Sequence, residues 1–149
     1  MKKYVLLVED EPDLNQTVAF NLDSEGYSVE SAFNGKDALK LIEEKTPDLI
    51  LLDLMLPDMS GLEICRILRS SKKTKNIPIM MVTAKGEEID RIVGFELGAD
   101  DYISKPFEPK ELLLRIKNII NKSSKNDMRS KIMVGKAEID LNKMIVFLN

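Results

Sequence analysis

The chain has 149 residues, 44% of them apolar and 32% charged, with a formal net charge of −3. That is enough for one domain with its own core and a short additional piece, and too apolar for a disordered polymer. Histidine is absent and Cys65 is the single cysteine, which excludes an internal disulfide, imidazole-based acid–base catalysis, histidine triads and zinc bound by histidine or clustered cysteines.

The chain opens on Tyr4–Val8, a short apolar run that Glu9-Asp10-Glu11 ends at once. It is too short for a signal peptide, and no run in the chain could cross a bilayer, so a cytoplasmic protein with no membrane partner is expected. Four further short runs follow, at Ser28–Ala32, Leu49–Leu52, Ile79–Thr83 and Tyr102–Ser104. VLLV and LILL are continuous enough to be central strands of a parallel sheet, whereas the second and fifth runs are more polar and suit its edges.

The stretches between the runs carry helical spacing. Leu14, Val18 and Leu22 form the first stripe, which Gly26 stops. Asn34 caps the second helix, with Asp37 three residues on, ahead of Ala38, Leu39, Leu41 and Ile42. Ser60-Gly61-Leu62-Glu63 has the form of a capping box before Ile64, Ile67 and Leu68. A fourth helix is predicted from about Glu87 to Leu97, stopped by Gly98, and a fifth from Pro109 through Ile120. Strict alternation of strand and helix predicts an α/β, doubly wound, flavodoxin-like (βα)5 parallel sheet of order 2-1-3-4-5. Its site lies at the carboxyl ends of the first and third strands.

From residue 123 the pattern changes. Ser123 to Asp127 is polar, and the expected division is a domain over 1–122, a linker over 123–130 and an incomplete β-meander over 131–149. The last piece is too small to fold alone and is expected to open a second domain. From Ser123 on, five basic residues face three acidic ones, whereas the rest holds 17 basic and 22 acidic residues. An acidic body gives no electrostatic reason to bind nucleic acid.

The strand ends carry the chemistry. Glu9, Asp10 and Glu11 end the first strand and Asp53 ends the third, so the predicted topology gathers carboxylates at one point. Such charges repel unless a cation neutralises them, and oxygen ligands suit magnesium. Thr83 ends the fourth strand and Lys105 the fifth, which adds a hydroxyl and an ammonium at the same rim. Acids, a hydroxyl and an amine around a metal make a phosphoryl-transfer site, in which Asp53 can serve as nucleophile. Two alternatives stand beside that reading. A haloacid-dehalogenase-like phosphatase needs a second acid two residues after the nucleophile, where this chain has Met55. The other alternative is a pure binding module that works without phosphate.

Val8-Glu9-Asp10-Glu11, Asp53 through Gly61 (DLMLPDMSG), Thr83-Ala84 and Lys105-Pro106-Phe107 together resemble the receiver domain of two-component response regulators, over residues 1 to about 122. The resemblance implies that Asp53 accepts a phosphoryl group from a sensor histidine kinase. It implies Mg2+ bound by Asp10, Asp53 and the Met55 backbone carbonyl, with Glu9 acting directly or through water. Thr83 and Lys105 would contact the phosphoryl oxygens, Pro106 would follow a cis peptide bond, and Tyr102 would turn inward when Thr83 moves. Such a chain is no enzyme in the ordinary sense, but promotes its own phosphorylation and dephosphorylation. Leu14, Asn15 and Val18, with the loop after Lys105, would be the kinase-docking surface.

The fourth and fifth helices and the strand between them resemble the winged-helix (OmpR/PhoB-like) subgroup. There, phosphorylation pairs two copies into a homodimer through these elements. Arg91, Glu96, Asp100 and Asp101 would face Glu111, Arg115, Lys117 and Lys122, with Arg91–Glu111, Glu96–Lys117 and Asp101–Arg115 as pairs across the two-fold axis. Residues 131–148 resemble the β-meander that precedes a winged-helix domain. The helix-turn-helix itself is missing, so DNA would be a partner only through that effector domain.

Overall fold

Ten elements alternate along the chain: β1 (Tyr4–Val8), α1 (Pro12–Ser24), β2 (Ser28–Ala32), α2 (Gly35–Glu44), β3 (Leu49–Asp53), α3 (Gly61–Arg69), β4 (Ile79–Ala84), α4 (Glu88–Leu97), β5 (Asp101–Lys105) and α5 (Pro109–Met133). The computed structural model describes residues 2–84 and 88–133, without the side chains of 88–91 and 123–133. The strands form one parallel sheet in the order β2-β1-β3-β4-β5, as the alternation predicts.

Why the central strands are apolar on both sides is plain from the layers. Val5 and Leu7 of β1, Leu49 and Leu51 of β3, and Met80 and Val82 of β4 pack with Val18 and Leu22 of α1 and Leu112, Ile116 and Ile120 of α5. The alternate residues, Leu6, Val8, Ile50, Leu52, Ile79 and Met81, pack on the other face with Ala38 and Ile42 of α2 and Ile64, Cys65 and Leu68 of α3. Burying each Leu or Ile contributes about 1.5–3 kcal/mol, far more than a solvent-screened surface pair such as Arg66–Glu63. The two apolar layers therefore hold the fold.

The helix ends follow local chemistry. Asn34 accepts a hydrogen bond from the Asp37 N–H at 2.8 Å, and Pro12 stands in the first turn of α1. Gly26 and Gly98 follow α1 and α4 with φ of 95° and 104°, a conformation that costs side-chain-bearing residues energy. Only half of the expected capping box forms: Ser60 accepts from the Leu62 N–H, while Glu63 turns away to Arg66.

One boundary differs from the sequence reading. Residues 123–130, expected as a linker, continue α5, which runs to Met133 and past the expected start of the β-meander at Lys131. Between Lys122 and Met133 there is no proline and no glycine until Gly135, so nothing in that stretch terminates a helix. The remainder of the expected β-meander, 134–149, lies outside the described residues.

Candidate functional site

Parallel pairing brings the ends of β1, β3, β4 and β5 to one edge. Val8 pairs with Leu52, and Asp53 pairs with Val82, so Glu9, Asp53 and Thr83 follow on neighbouring strands. Thr83 pairs with Ser104, and Ala84 with Lys105. One carboxylate oxygen each of Glu9, Asp10 and Asp53 lies within 4.8 Å of the others.

The three acids sit in different surroundings. Glu9 and Asp53 are buried, at 3% and 4% exposure, while Asp10 is exposed. Lys105 Nζ lies 2.8 Å from Glu9 Oε1 and 3.0 Å from Asp53 Oδ2, so one ammonium bridges the two buried carboxylates. The other Glu9 oxygen accepts from the Glu11 N–H at 3.0 Å, and Asp53 Oδ1 accepts from the Met55 N–H at 3.0 Å. Burial pushes the Glu9 carboxyl up to about 7, although the bonds from Lys105 and Glu11 pull the other way. Burial lowers the Lys105 ammonium, but its bonds to Glu9 and Asp53 outweigh that and leave it raised.

The donor set fits a hard divalent cation. Two like charges about 5 Å apart repel by roughly 3 kcal/mol at an effective dielectric near 20, and one lysine cannot neutralise three acids. Oxygen ligands of this kind at the mouth of a site suit magnesium, and Lys105 already places a positive charge between two of them.

Thr83 is buried at 1% exposure, with its hydroxyl 3.5 Å from that of Ser104. The Lys105–Pro106 peptide is cis, as the resemblance implies. Tyr102 is buried, its ring 4.6 Å from that of Phe95, so in this structure it already lies inward. Met55 is 66% exposed and forms an isolated bridge with Ser60.

Two docking residues expected from the sequence are misplaced. Asn15 and Val18 are buried at 2% and 4% exposure, so they offer almost no surface to a partner, Val18 reaching only the floor of a small groove. Asn15 instead donates to the Glu9 carbonyl at 3.0 Å and accepts from the Ser31 hydroxyl at 2.6 Å, tying α1 and β2 to the acidic strand end. Asn15, Val18 and Leu22 share the inward stripe of α1, and that spacing could have shown it. Leu14 remains half-buried and lines a small groove with Thr17, Asn21 and Phe107.

The expected dimer residues divide in the same way. Arg115 Nη1 bonds Asp101 at 3.0 and 3.2 Å and its Nε bonds Glu111 at 3.3 Å, so three of them are paired within one chain. Asp100 accepts from Arg69 and, at 2.8 Å, from the Ile79 N–H. Glu96, Lys117 and Lys122 are exposed, and the Arg91 side chain lies outside the described residues. Ile92 and Phe95, whose helical spacing on α4 suits an apolar stripe, are instead exposed at 62% and 48%, as is Leu114 of α5 at 60%.

Residues 5–117 match the response regulator receiver domain family. The alkaline phosphatase synthesis transcriptional regulatory protein PhoP of Bacillus subtilis is 44% identical over 93% of this chain and 61% of its own length. The phosphate regulon transcriptional regulatory protein PhoB of Pseudomonas aeruginosa is 44% identical over 93% of this chain and 60% of its own. The chain thus spans about three-fifths of the length of these relatives. A response regulator receiver domain protein (CheY-like) from Methanospirillum hungatei superposes with a TM-score of 0.80 at 31% identity, over 85% of this chain and 99% of that one.

Proposed function

We propose, for a chain that belongs to the response regulator receiver domain family, that Asp53 is the phosphoryl acceptor of a two-component signalling pathway. The observation that carries this reading is the bridge from Lys105 to both Glu9 and Asp53, which puts a buried carboxylate, a cation and a metal-type acid cluster in one place. In the proposed transfer, an Asp53 carboxylate oxygen attacks phosphorus and forms the new O–P bond. The P–N bond to the kinase imidazole breaks, and the imidazole nitrogen leaves with the electron pair. Asp10, Asp53 and the Met55 carbonyl would hold Mg2+, with Glu9 direct or through water. Bound there, the ion would neutralise charge on the transferring group. Lys105 then exchanges a carboxylate for a phosphoryl oxygen, and Thr83 offers its hydroxyl to another. The new group carries about −1.5 to −2 charge, which draws both residues and the loops that carry them.

The exposed apolar and charged residues of α4 and α5 support a homodimer formed on phosphorylation through α4, β5 and α5. The pairs held within one chain, Arg115 with Asp101 and Glu111, would be shared with or exchanged for the partner's. The two curated relatives are transcriptional regulatory proteins, and their similarity runs past residue 117, where the family match ends. On that basis, residues 1–122 are the receiver, and the chain beyond them leads into a winged-helix effector domain through which DNA is bound. The chain is a cytoplasmic switch that promotes its own phosphorylation and dephosphorylation. Among the described residues, no helix is long and apolar enough to cross a membrane.

Intact mass after incubation with acetyl phosphate, with and without Mg2+, tests the reading. The parent should gain one phosphoryl group only with Mg2+, and Asp53→Asn should gain none. A label retained by Asp53→Asn would remove Asp53 as the acceptor. A folded parent that gains nothing would favour a phosphate-independent binding module.

A further inference from the structure

The chain between β3 and α3 holds Met55, whose carbonyl is the main-chain ligand of the reading above and whose N–H donates to Asp53 Oδ1 at 3.0 Å. It closes on itself: Met55 bridges to Ser60, the Gly61 N–H donates to the Leu54 carbonyl at 2.8 Å, and the Met55 N–H reaches Asp53. Gly61 permits that closure, because a Cβ there would stand 2.5 Å from the Asp53 carbonyl oxygen. A closed loop can still swing as a unit about its two ends.

Asp58, at the far side of this loop, reaches a different element. Its Oδ1 accepts from the Gly35 N–H at 2.8 Å and its Oδ2 from the Lys36 N–H at 2.9 Å. These are first-turn donors of α2, which no carbonyl inside the helix can satisfy, and a carboxylate suits the positive end of the helix. The two bonds hold the Asp58 carboxyl below the usual carboxylate range. The contact is close as well as polar, since a Cβ on Gly35 would fall 2.3 Å from Met59 Cγ. Capping of α2 is already supplied by Asn34, which satisfies the Asp37 N–H. Asp58 therefore adds a connection between two elements rather than replacing a missing cap.

We propose that Asp58 is a positioning residue. By pinning the β3–α3 loop to the first turn of α2, it fixes the Met55 carbonyl relative to Glu9, Asp10 and Asp53 before a cation arrives. The inference rests on the Mg2+-binding reading given above. A carboxylate that fixes a ligand-bearing segment acts on affinity through geometry, and loss of such support commonly weakens metal binding about 10–100-fold.

Calorimetric titration of Mg2+ into the parent, Asp58→Ala, Asp58→Asn and Asn34→Ala tests it, with urea unfolding to confirm that each variant is folded. Asp58→Ala should raise the Mg2+ Kd about tenfold. Asp58→Asn, which drops the charge but keeps one acceptor, should lose less. Asn34→Ala, which weakens the same helix end without touching the loop, should bind as the parent does. By reciprocity, Mg2+ should slow amide exchange at Gly35 and Lys36 in the parent. Parent-like binding by Asp58→Ala, an equal loss in Asn34→Ala, an equal loss in Asp58→Asn, or unchanged exchange would each overturn the proposal. A parent with no saturable Mg2+ binding would overturn the metal reading itself and this inference with it.

Discussion

The two ends of the sheet both carry an ion cluster, and they are built in opposite ways. At the amino end, the Arg69 guanidinium donates to the carbonyls of Gly98, Lys75 and Ile77 and to Asp100, at 2.8 to 3.1 Å. Asp100 in turn accepts from the Ile79 N–H. One cation meets one carboxylate there, and the remaining donors go to main-chain oxygens. At the carboxyl end, Lys105 faces two buried carboxylates with a third acid, Asp10, beside them. The first cluster is balanced, so it ties the end of α3 to the turn after α4 and to the start of β4. The second has an excess of negative charge, so its arrangement depends on what it binds. Balance makes a fastener, and imbalance makes a receptor.

Three measurements press on that contrast. The largest effect should come from Arg69→Ala, which strands three carbonyls and leaves Asp100 with the Ile79 N–H but no cation. A loss of about 3 kcal/mol in urea unfolding is expected, with the Mg2+ Kd unchanged. A shifted Kd would mean that the amino end is not independent of the site. Lys105→Ala in the metal-free chain should cost less, about 1–2 kcal/mol, because Glu9 can relieve the repulsion by taking up a proton. Mg2+ should then stabilise this variant more than it stabilises the parent, having no lysine to displace. Equal stabilisation of both would show that Lys105 does not hold the cation's place.

The smallest effect is one of slope. Burial raises the Glu9 carboxyl from 4.5 to about 7, so between those values the folded chain keeps a proton that the unfolded chain has released. The stabilisation is complete below pH 4.5 and is lost as pH rises through about 7. Glu9→Gln in EDTA should flatten this part of the stability profile relative to the parent. An unaltered slope would place the proton elsewhere.

Much of the molecule is legible in its sequence because it depends on spacing. Continuous apolar runs such as VLLV and LILL mark the central strands, and the more polar second and fifth runs are indeed the edges. Strand ends then align Glu9, Asp53, Thr83 and Lys105 without any knowledge of distances. What stays hidden depends on direction. Glu9 turns inward and Asp10 outward, although both are acids on one short segment. Arg69 looks like a solvated charge at the end of an amphipathic helix, yet its side chain is 18% exposed and its donors are spent on three carbonyls from two segments. Asp58 bonds a helix 23 residues earlier in the chain, a contact that no local pattern encodes. The continuation of α5 through 123–133 escapes a reading by composition, because polar residues suggest a break where nothing stops a helix.

The first helix has two faces with separate duties. Inward, Asn15 tethers the backbone of Glu9. Outward, Phe20 stands 70% exposed, and Leu14, Thr17 and Asn21 border a groove. Residues that a visiting protein can reach are thus not the residues that hold the acid in place. Duplicated copies of such a gene could acquire new partners by changing the outer face alone, with the chemistry inherited intact. Insulated signalling pathways can in this way multiply without reinventing their reaction.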